Sequence, residues 1–432
     1  MPERERLDVL DGLRGLAILL VVWYHVWLVS GQAFGPLSLV AQAGFLGVDL
    51  FFFISGFCLF YPYARATLEG RPQPSTRRFF ARRFLKIVPS YLIALFVFAT
   101  IYHAQFGSSE NMALQLATHL TFMHTLSPNT FGTISGPLWT VGIEVQFYLL
   151  FPLIVPWFRR SPIAGYAALI VVSETYRFAI GAAGLSPAFW WINQLPAFFD
   201  VFGAGMVAAY GLVRLRARGP LHPRTSTLLS GVAFAVAIGG LAYTSSVNAT
   251  VSDDAARQWL NAHRLLIGPL CIALALPTFF AVERWRSIVA TRALVFLSTI
   301  SYNLYLWHLE IAVWVHNAGL PAIWTVILAL PAALAVAAFV SYAFERPILE
   351  ADFAQVRSAL AAAATRANQS LVAASTLVPV WWRSSRRLGR VLRPAHRLAE
   401  RALVPNASSR FGSRFGSTDR TNPAERQGFA RR

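Results

Sequence analysis

Two ionisable side chains, Arg14 and His25, stand eleven positions apart in the first apolar stretch of the chain, LDGLRGLAILLVVWYHVWLVS. In a helix, eleven steps give about 1100° of rotation and about 16 Å of rise, so both side chains face the same way. Ionisable groups in a membrane helix are costly and usually line a cavity or a substrate path. Arginine binds anions and histidine transfers protons. We therefore expect one helix face to connect an anion site at the membrane edge with a reactive histidine further inside.

Polar side chains recur at a similar depth in three other apolar stretches. Glu144 lies about seven residues, or roughly 10 Å, inside SGPLWTVGIEVQFYLLFPL. Asp49 and His308 lie at comparable depth in the second and ninth stretches. His308 could simply bond between helices, and Asp49 could pair with a helix-end donor. The alternative is a shared site, for which we predict Tyr305, His308 and Asp49 as substrate-binding residues.

The stretch RRFFARRFLKIVP places Arg82, Arg83 and Lys86 at the start of the third apolar segment, level with Arg14. A ring of positive charge suits a polyanion such as a nucleotide diphosphate, because arginine binds phosphate bidentately and lysine acts as a point charge. We expect these four residues to bind the phosphates of a cofactor. Basic residues at a membrane edge also anchor topology, and we favour that interpretation for the two arginines that begin the stretch.

Positioning these residues requires helices that cross a membrane. Of 432 residues, 56% are hydrophobic and 13% are charged. Windows of about 20 residues define ten apolar segments at 13–30, 43–63, 85–102, 138–157, 161–176, 190–213, 227–245, 265–283, 294–315 and 322–344. Residues 111–126 are mildly amphipathic and are expected at the interface. The sequence predicts an all-α polytopic transmembrane bundle of about ten spanning helices within residues 1–350.

The distribution of basic residues predicts the orientation of this bundle. Short loops rich in Lys and Arg stay in the cytoplasm. The even-numbered loops carry sixteen Lys and Arg residues, and the odd-numbered loops carry three. We therefore expect both termini in the cytoplasm of a cell whose plasma or inner membrane holds the protein.

The formal charge of +18 is concentrated in the C-terminal tail. From Ala351 onward the chain contains fifteen arginines and four acidic residues, which gives a net charge of +11. We predict a basic, partly helical membrane-surface segment at 351–404 and a disordered tail at 405–432, with anionic lipid as the partner rather than nucleic acid. A solvated basic tail without a specific partner is the alternative.

The two cysteines, Cys58 and Cys271, both fall inside predicted spanning segments. Such positions do not form a disulfide framework or a cluster of metal ligands. We expect no metal.

Six strings stand in order along the chain: LDGLRGLAILLVVWYHV, GFLGVDLFFFISGF, RRFLKIVP, GPLWTVGIEVQFYLLFP, ISYNLYLWH and FERP. Each string alone is a weak signal. The six strings together, in this order over about residues 7 to 350, resemble the signatures of the acyltransferase 3 family of membrane-bound O-acyltransferases.

The resemblance assigns roles to particular residues. The family's arginine-to-histidine motif falls on Arg14 and His25, and its paired basic motif falls on Arg83 and Lys86. The position of Lys86 is more often arginine in the family, so the bidentate phosphate contact is lost there. The tryptophan and glutamate motif falls on two residues of the fourth stretch, Trp139 and Glu144, and the resemblance thereby adds Trp139 to the predicted substrate-binding residues.

Membership would imply transfer of a short acyl group, commonly acetyl, from acyl-CoA to a hydroxyl of a glycan, lipid-linked sugar or secondary metabolite. The basic ring would hold the phosphates of the coenzyme. His25 would take the hydroxyl proton, a contribution typically worth about 10²–10⁴ in rate. Glu144 would orient the imidazole. A covalent acyl-histidine relay is the mechanistic alternative.

A proton-coupled transporter or flippase is the other function that buried Arg, His and Glu suit. Such proteins commonly contain inverted repeats, and the two halves of this chain show no resemblance. The basic ring has no evident use in proton coupling. These points favour the enzyme.

Overall fold

The computed structural model describes residues 8–31, 38–219 and 221–350, together with residue 365. Every regular element in these ranges is a helix. The predicted all-α class is therefore confirmed for the described part of the chain.

The chain divides into two units, Met1–Asp352 and Phe353–Arg432. The second unit lies outside the described residues apart from Thr365. The predicted surface segment 351–404 and tail 405–432 consequently stay predictions.

Ten helical segments of the described ranges are long and apolar enough to cross a membrane, if a bent pair of helices is counted as one. In chain order their main helices are α1 Asp8–Ser30, α2 Gly47–Leu68, α3 Thr76–Ile101, α4 Leu138–Arg160, α5 Pro162–Ala182, α6 Phe199–Arg218, α7 Pro223–Thr250, α8 Ile267–Thr278, α9 Arg292–His316 and α10 Ala322–Val340. Each of the ten predicted apolar segments corresponds to one of them. The prediction of a polytopic membrane bundle is confirmed.

Shorter helices extend or connect these spans. Those directly joined to a spanning helix are Gly44–Leu46 before α2, Leu195–Phe198 before α6, Asp253–His263 and Arg264–Leu266 before α8, Glu283–Val289 before α9, and Ser341–Glu345 and Arg346–Glu350 after α10. The others are Ser38–Ala41, His103–Phe106, Ser109–Leu120, His124–Leu126 and Phe189–Ile192. Helix Ser109–Leu120 covers most of the stretch expected at the interface.

Local sequence explains where α9 begins. The helix before it ends at Val289, and the two helices meet at an angle of 41°. The Thr291 side chain accepts a hydrogen bond from the backbone N–H of Leu294 at 3.3 Å, which caps the first turn of α9. The bend and the cap set the direction in which α9 enters the bundle.

Glycine allows the backbones of α2 and α6 to touch. A Cβ added to Gly56 would lie 2.1 Å from the carbonyl oxygen of Phe202, and one added to Gly205 would lie 2.0 Å from that of Phe53. Small residues permit such close approach in membrane bundles, where van der Waals packing drives helix association. The contact fixes α2, which carries several cavity residues, against α6.

Replacing Gly205 by Ala is expected to destabilise the bundle, because the added methyl group meets backbone atoms that cannot move aside. Overpacking of this kind costs about 1–3 kcal/mol of unfolding free energy. Thermal unfolding of the purified protein in detergent measures the change. Gly239→Ala in α7 is the matched control, since no atom lies within 4 Å of its added Cβ. Equal melting temperatures for the two variants would contradict the packing argument.

Candidate active site

A cavity of about 550 Å³ lies among α1, α2, α3, α4 and α9. Six residues singled out from the sequence line it: Arg14, Arg82, Arg83, Lys86, Glu144 and Tyr305. Its hydroxyl-bearing wall residues are Ser55, Thr140, Tyr148, Ser298, Ser301, Tyr302 and Tyr305. The volume falls within the range of about 300–1,000 Å³ typical of small-molecule sites.

Arg14 is held in the second turn of α1 by two neighbours. Its Nη2 donates to Cys58 Sγ of α2 at 3.7 Å, and its Nη1 lies 3.9 Å from Asp11 Oδ1. The same Asp11 oxygen accepts a hydrogen bond from Ser298 Oγ of α9 at 2.8 Å. Contacts to α2 and α9 thus aim the guanidinium at the cavity.

Arg83 presents an unpaired donor at the cavity wall. Its guanidinium lies 5.7 Å from the centroid of the Tyr148 ring, a cation–π contact. Its buried Nε has no hydrogen-bond partner among the described residues. An unsatisfied buried donor is costly, so this atom favours an anionic ligand. The neighbouring Arg82 is exposed.

Lys86 pairs with a carboxylate that the sequence analysis did not single out. Its ammonium forms an ion pair with Glu345, at the end of the helical turn after α10. The other oxygen of Glu345 accepts a hydrogen bond from Asn303 Nδ2 at 2.6 Å. The charge of Lys86 is therefore balanced, which makes it a weaker phosphate ligand than Arg83. The acidic residue of FERP, at the end of an apolar segment, is the signal in the sequence.

Glu144 lines the cavity about two turns into α4. Its depth and the family motif predict that it orients His25, but its Oε1 accepts hydrogen bonds from Ser55 and Tyr148 instead. No hydrogen bond joins Glu144 to His25 among the described residues. The carboxylate and its two hydroxyl donors form a polar patch on the cavity wall.

Tyr305 connects the cavity with the histidines. Its hydroxyl bonds to Thr140 Oγ1 at 2.9 Å, and its ring packs edge-on against Phe51 at 5.9 Å between centroids. The ring of His308, three residues later in α9, lies 5.6 Å away. Tyr305 therefore lines the cavity and also contacts His308, which is not among the wall residues.

His25 and His308 contact each other directly. The Nδ1 atom of His25 and the Nε2 atom of His308 are 3.1 Å apart, and the ring centroids are 4.8 Å apart. His308 is fully buried and His25 is half-buried. No cluster of three or more His, Cys, Asp or Glu side chains suited to a metal ion occurs in the described ranges.

Trp139 belongs to an aromatic cluster rather than to the cavity wall. Its ring lies 5.5 Å from that of Phe131 and 5.9 Å from that of Phe189. Phe189 is 50% exposed, whereas Trp139 is 9% exposed. The cluster forms where α4 begins, and Trp139 is not among the residues that line the cavity.

Two stacked histidines hold the loop that leads into α4. The rings of His119 and His124 lie 4.2 Å apart, and His124 Nε2 donates to the carbonyl oxygen of Leu138 at 3.1 Å. Burial, reinforced by the nearby imidazole of His119, lowers the pKa of His124 to about 3. Both rings are fully buried. A neutral His124 thus fixes the start of α4, upstream of Glu144.

Asp49 faces an arginine rather than the cavity. Its Oδ1 lies 3.4 Å from Arg264 Nε, and both side chains are almost completely buried. A second buried pair, Arg177 with Asp200, forms bidentate hydrogen bonds of 2.7 and 2.8 Å. These pairs join α2, α5, α6 and the turn before α8. The structure thus gives Asp49 the kind of structural partner that the sequence analysis kept as an alternative.

Residues 7–346 match a family described as an acyltransferase domain. The chain is similar to the peptidoglycan O-acetyltransferase OatA of Listeria monocytogenes, with 24% identity over 375 residues. That match covers 81% of this chain and 57% of the relative, so the chain spans little more than half of that protein's length. It is also similar to Protein 2 in the picA locus of Rhizobium radiobacter, with 38% identity over 189 residues, covering 39% of this chain and 91% of the relative. No solved structure matches the chain.

Proposed function

Because the chain belongs to the acyltransferase domain family, we propose that it is an integral-membrane O-acyltransferase that transfers a short acyl group from acyl-CoA to a hydroxyl group. One observation carries the proposal. A single cavity joins an arginine-rich wall to Glu144 and Tyr305, and the ring of Tyr305 is next to His308, which pairs with His25.

The donor would bind with its phosphates at Arg83, Arg82 and Arg14. Arginine matches the geometry of phosphate oxygens, and Arg83 has a buried nitrogen without a partner. Lys86 would add a positive charge that Glu345 moderates. The pantetheine arm would extend along the cavity toward Tyr305, with the thioester near the Glu144 patch.

His25 would act as the general base. The acceptor oxygen attacks the thioester carbonyl, its proton passes to His25, and the carbon–sulfur bond breaks. The proton then returns to the departing thiolate of coenzyme A. Glu144 and Tyr305, which line the cavity, would contribute to binding the acyl group and the acceptor. The ring of Tyr305 also lies next to that of His308.

A sugar hydroxyl is the acceptor class that we propose. The relative from Listeria monocytogenes is named for O-acetylation of peptidoglycan. A glycan or lipid-linked sugar would reach His25 from the side opposite the arginines. With the orientation expected from the loop charges, the donor binds from the cytoplasm and both termini lie there.

Replacing His25 by Ala is expected to abolish acyl transfer, because a general base contributes about 10²–10⁴ in rate. The assay uses purified protein in detergent, radiolabelled acetyl-CoA and chitotetraose, and measures label in the sugar and coenzyme A released. His103→Ala, at an exposed histidine beyond α3, is the control. Unchanged transfer by His25→Ala would reject the assignment. Uptake of labelled acetyl-CoA into vesicles with the thioester intact would support a transporter instead.

Arg83→Gln is expected to raise the KM for acetyl-CoA with little change in kcat. Hydrogen bonds to charged groups are worth about 1.5–3 kcal/mol, which corresponds to about 10- to 100-fold in affinity. Arg78→Gln removes an equal charge from the exposed start of α3, away from the cavity wall. Equal effects of the two variants would show that only the general surface charge matters.

Chemical labelling of Cys58 offers a direct test of donor binding. It is half-buried on the cavity wall, whereas the other cysteine of the chain, Cys271, is 4% exposed. We expect N-ethylmaleimide to label Cys58, and desulfo-coenzyme A, which has no thiol, to slow the labelling. Cys58→Ala should remove the signal, and Arg83→Gln should weaken the protection. Labelling unaffected by saturating desulfo-coenzyme A would place the donor elsewhere.

A further inference from the structure

The ring nitrogens of His308 have unequal surroundings. Its Nδ1 lies 2.7 Å from the carbonyl oxygen of Tyr305 and 3.1 Å from that of Leu304. Carbonyl oxygens only accept hydrogen bonds, so Nδ1 carries a proton. In a neutral imidazole the other nitrogen is then an acceptor. The lone pair of His308 Nε2 therefore points toward His25.

His25 is held by two acceptors at a single nitrogen. Its Nδ1 lies 2.9 Å from the carbonyl oxygen of Val21, one turn earlier in α1, and 3.1 Å from His308 Nε2. Both neighbours accept hydrogen bonds, so Nδ1 of His25 must carry the proton. The lone pair of a neutral His25 is thus on Nε2, the nitrogen turned away from His308.

We propose that His308 is a positioning residue that, together with the Val21 carbonyl oxygen, holds His25 in its reactive tautomer. This inference rests on the proposed function, in which His25 is the general base. The partner of a catalytic histidine commonly sets which ring nitrogen is protonated. Here the partner is a second neutral imidazole, and the substrate acts only at Nε2 of His25.

The protons on the two histidines can be followed through one turnover. When His25 Nε2 takes the hydroxyl proton, its Nδ1–H keeps its bonds to Val21 and His308. The imidazolium makes these bonds stronger, because charged donors form stronger hydrogen bonds. His308 neither gains nor loses a proton. Release of the Nε2 proton to the leaving thiolate restores the starting tautomer.

Burial explains why a neutral partner suits this position. His308 is 1% exposed, and a carboxylate buried at such a site needs its own compensating charge. Glu144, the carboxylate expected to orient His25, instead lies in the cavity with hydroxyl donors from Ser55 and Tyr148. The imidazole of His308 supplies an acceptor without a second buried charge.

Two substitutions separate positioning from packing. His308→Leu removes the acceptor at similar volume, whereas His308→Gln keeps an acceptor oxygen that reaches the former Nε2 position. We expect His308→Leu to lower kcat about 10- to 100-fold, less than the loss of the base itself, with the KM for acetyl-CoA unchanged. His308→Gln should recover most of the rate. In the His25→Ala background, His308→Leu should cause no further loss.

Three kinetic outcomes would overturn the proposal. These are an unaffected kcat in His308→Leu, equal damage in His308→Gln and His308→Leu, and a loss confined to KM. Labelling of Cys58 with and without desulfo-coenzyme A verifies that each variant retains the folded cavity.

Nitrogen NMR tests the tautomer without any catalytic assay. The chain is labelled with ¹⁵N-histidine and measured in detergent at about pH 8, where a free imidazole is neutral. Loss of signals in His25→Gln assigns the His25 resonances. We expect protonated Nδ1 and unprotonated Nε2 in the parent chain, and a shift toward protonated Nε2 in His308→Leu.

The NMR experiment tests the tautomer of His25, and the kinetic experiment tests its role as the base, so each can be contradicted without the other. Protonated Nε2 on His25 in the parent chain, or an identical spectrum in His308→Leu, would reject the role of His308 whatever the enzyme does. Full activity of His25→Ala would reject the proposed function while leaving the measured tautomer in place.

Discussion

Charge pairing in an apolar environment is the constraint on which this structure depends. An ionisable group inside a membrane bundle is costly unless a partner compensates it. Arg177 meets Asp200, and Lys86 meets Glu345, each through an ion pair between distant segments. These pairs join helices that hydropathy alone would allow to pack in many ways. Arg83, whose buried Nε has no hydrogen-bond partner among the described residues, instead lines the cavity without an ion pair in that part of the chain. The unbalanced charge is therefore an argument for a ligand, and the balanced charges are arguments for structure.

In the candidate site, the charged residues and the histidines proposed for proton transfer occupy different places. Its arginines and Glu144 line the cavity, whereas His25 and His308 are not among its wall residues and pair with each other, with His308 next to Tyr305. A base close to several arginines would be harder to protonate, because like charges disfavour the charged form. Placing the base outside the arginine-lined wall reduces that penalty. The division suits a reaction in which a polyanionic donor enters at one end and a hydroxyl loses its proton at the other.

The sequence allowed the helices and the charged cavity residues to be predicted, but not their partners. Hydropathy windows depend on local composition, and the spacing of Arg14 and His25 depends only on helical geometry. Partner choice depends on rotation of each helix about its axis, which depth along the membrane does not specify. His25 and His308 are 283 positions apart, and Lys86 and Glu345 are 259 apart. Glu144 was expected beside His25 because the two share a depth, yet its side chain turns toward Ser55 and Tyr148.

The contact between α1 and α9 explains how two histidines so far apart in sequence come to meet. A Cβ on Gly15 would lie 2.2 Å from the carbonyl oxygen of Leu294, so the two backbones touch in the first half of α1 and the first turn of α9. Further along the same pair, His25 reaches His308. Later residues of α1 thus meet later residues of α9, so the helices run in parallel from this backbone contact. Bulk at Gly15 would separate them where they begin and displace the imidazoles that meet further along. Glycine at position 15 of α1 therefore helps to align the imidazole of His25 further along the same helix.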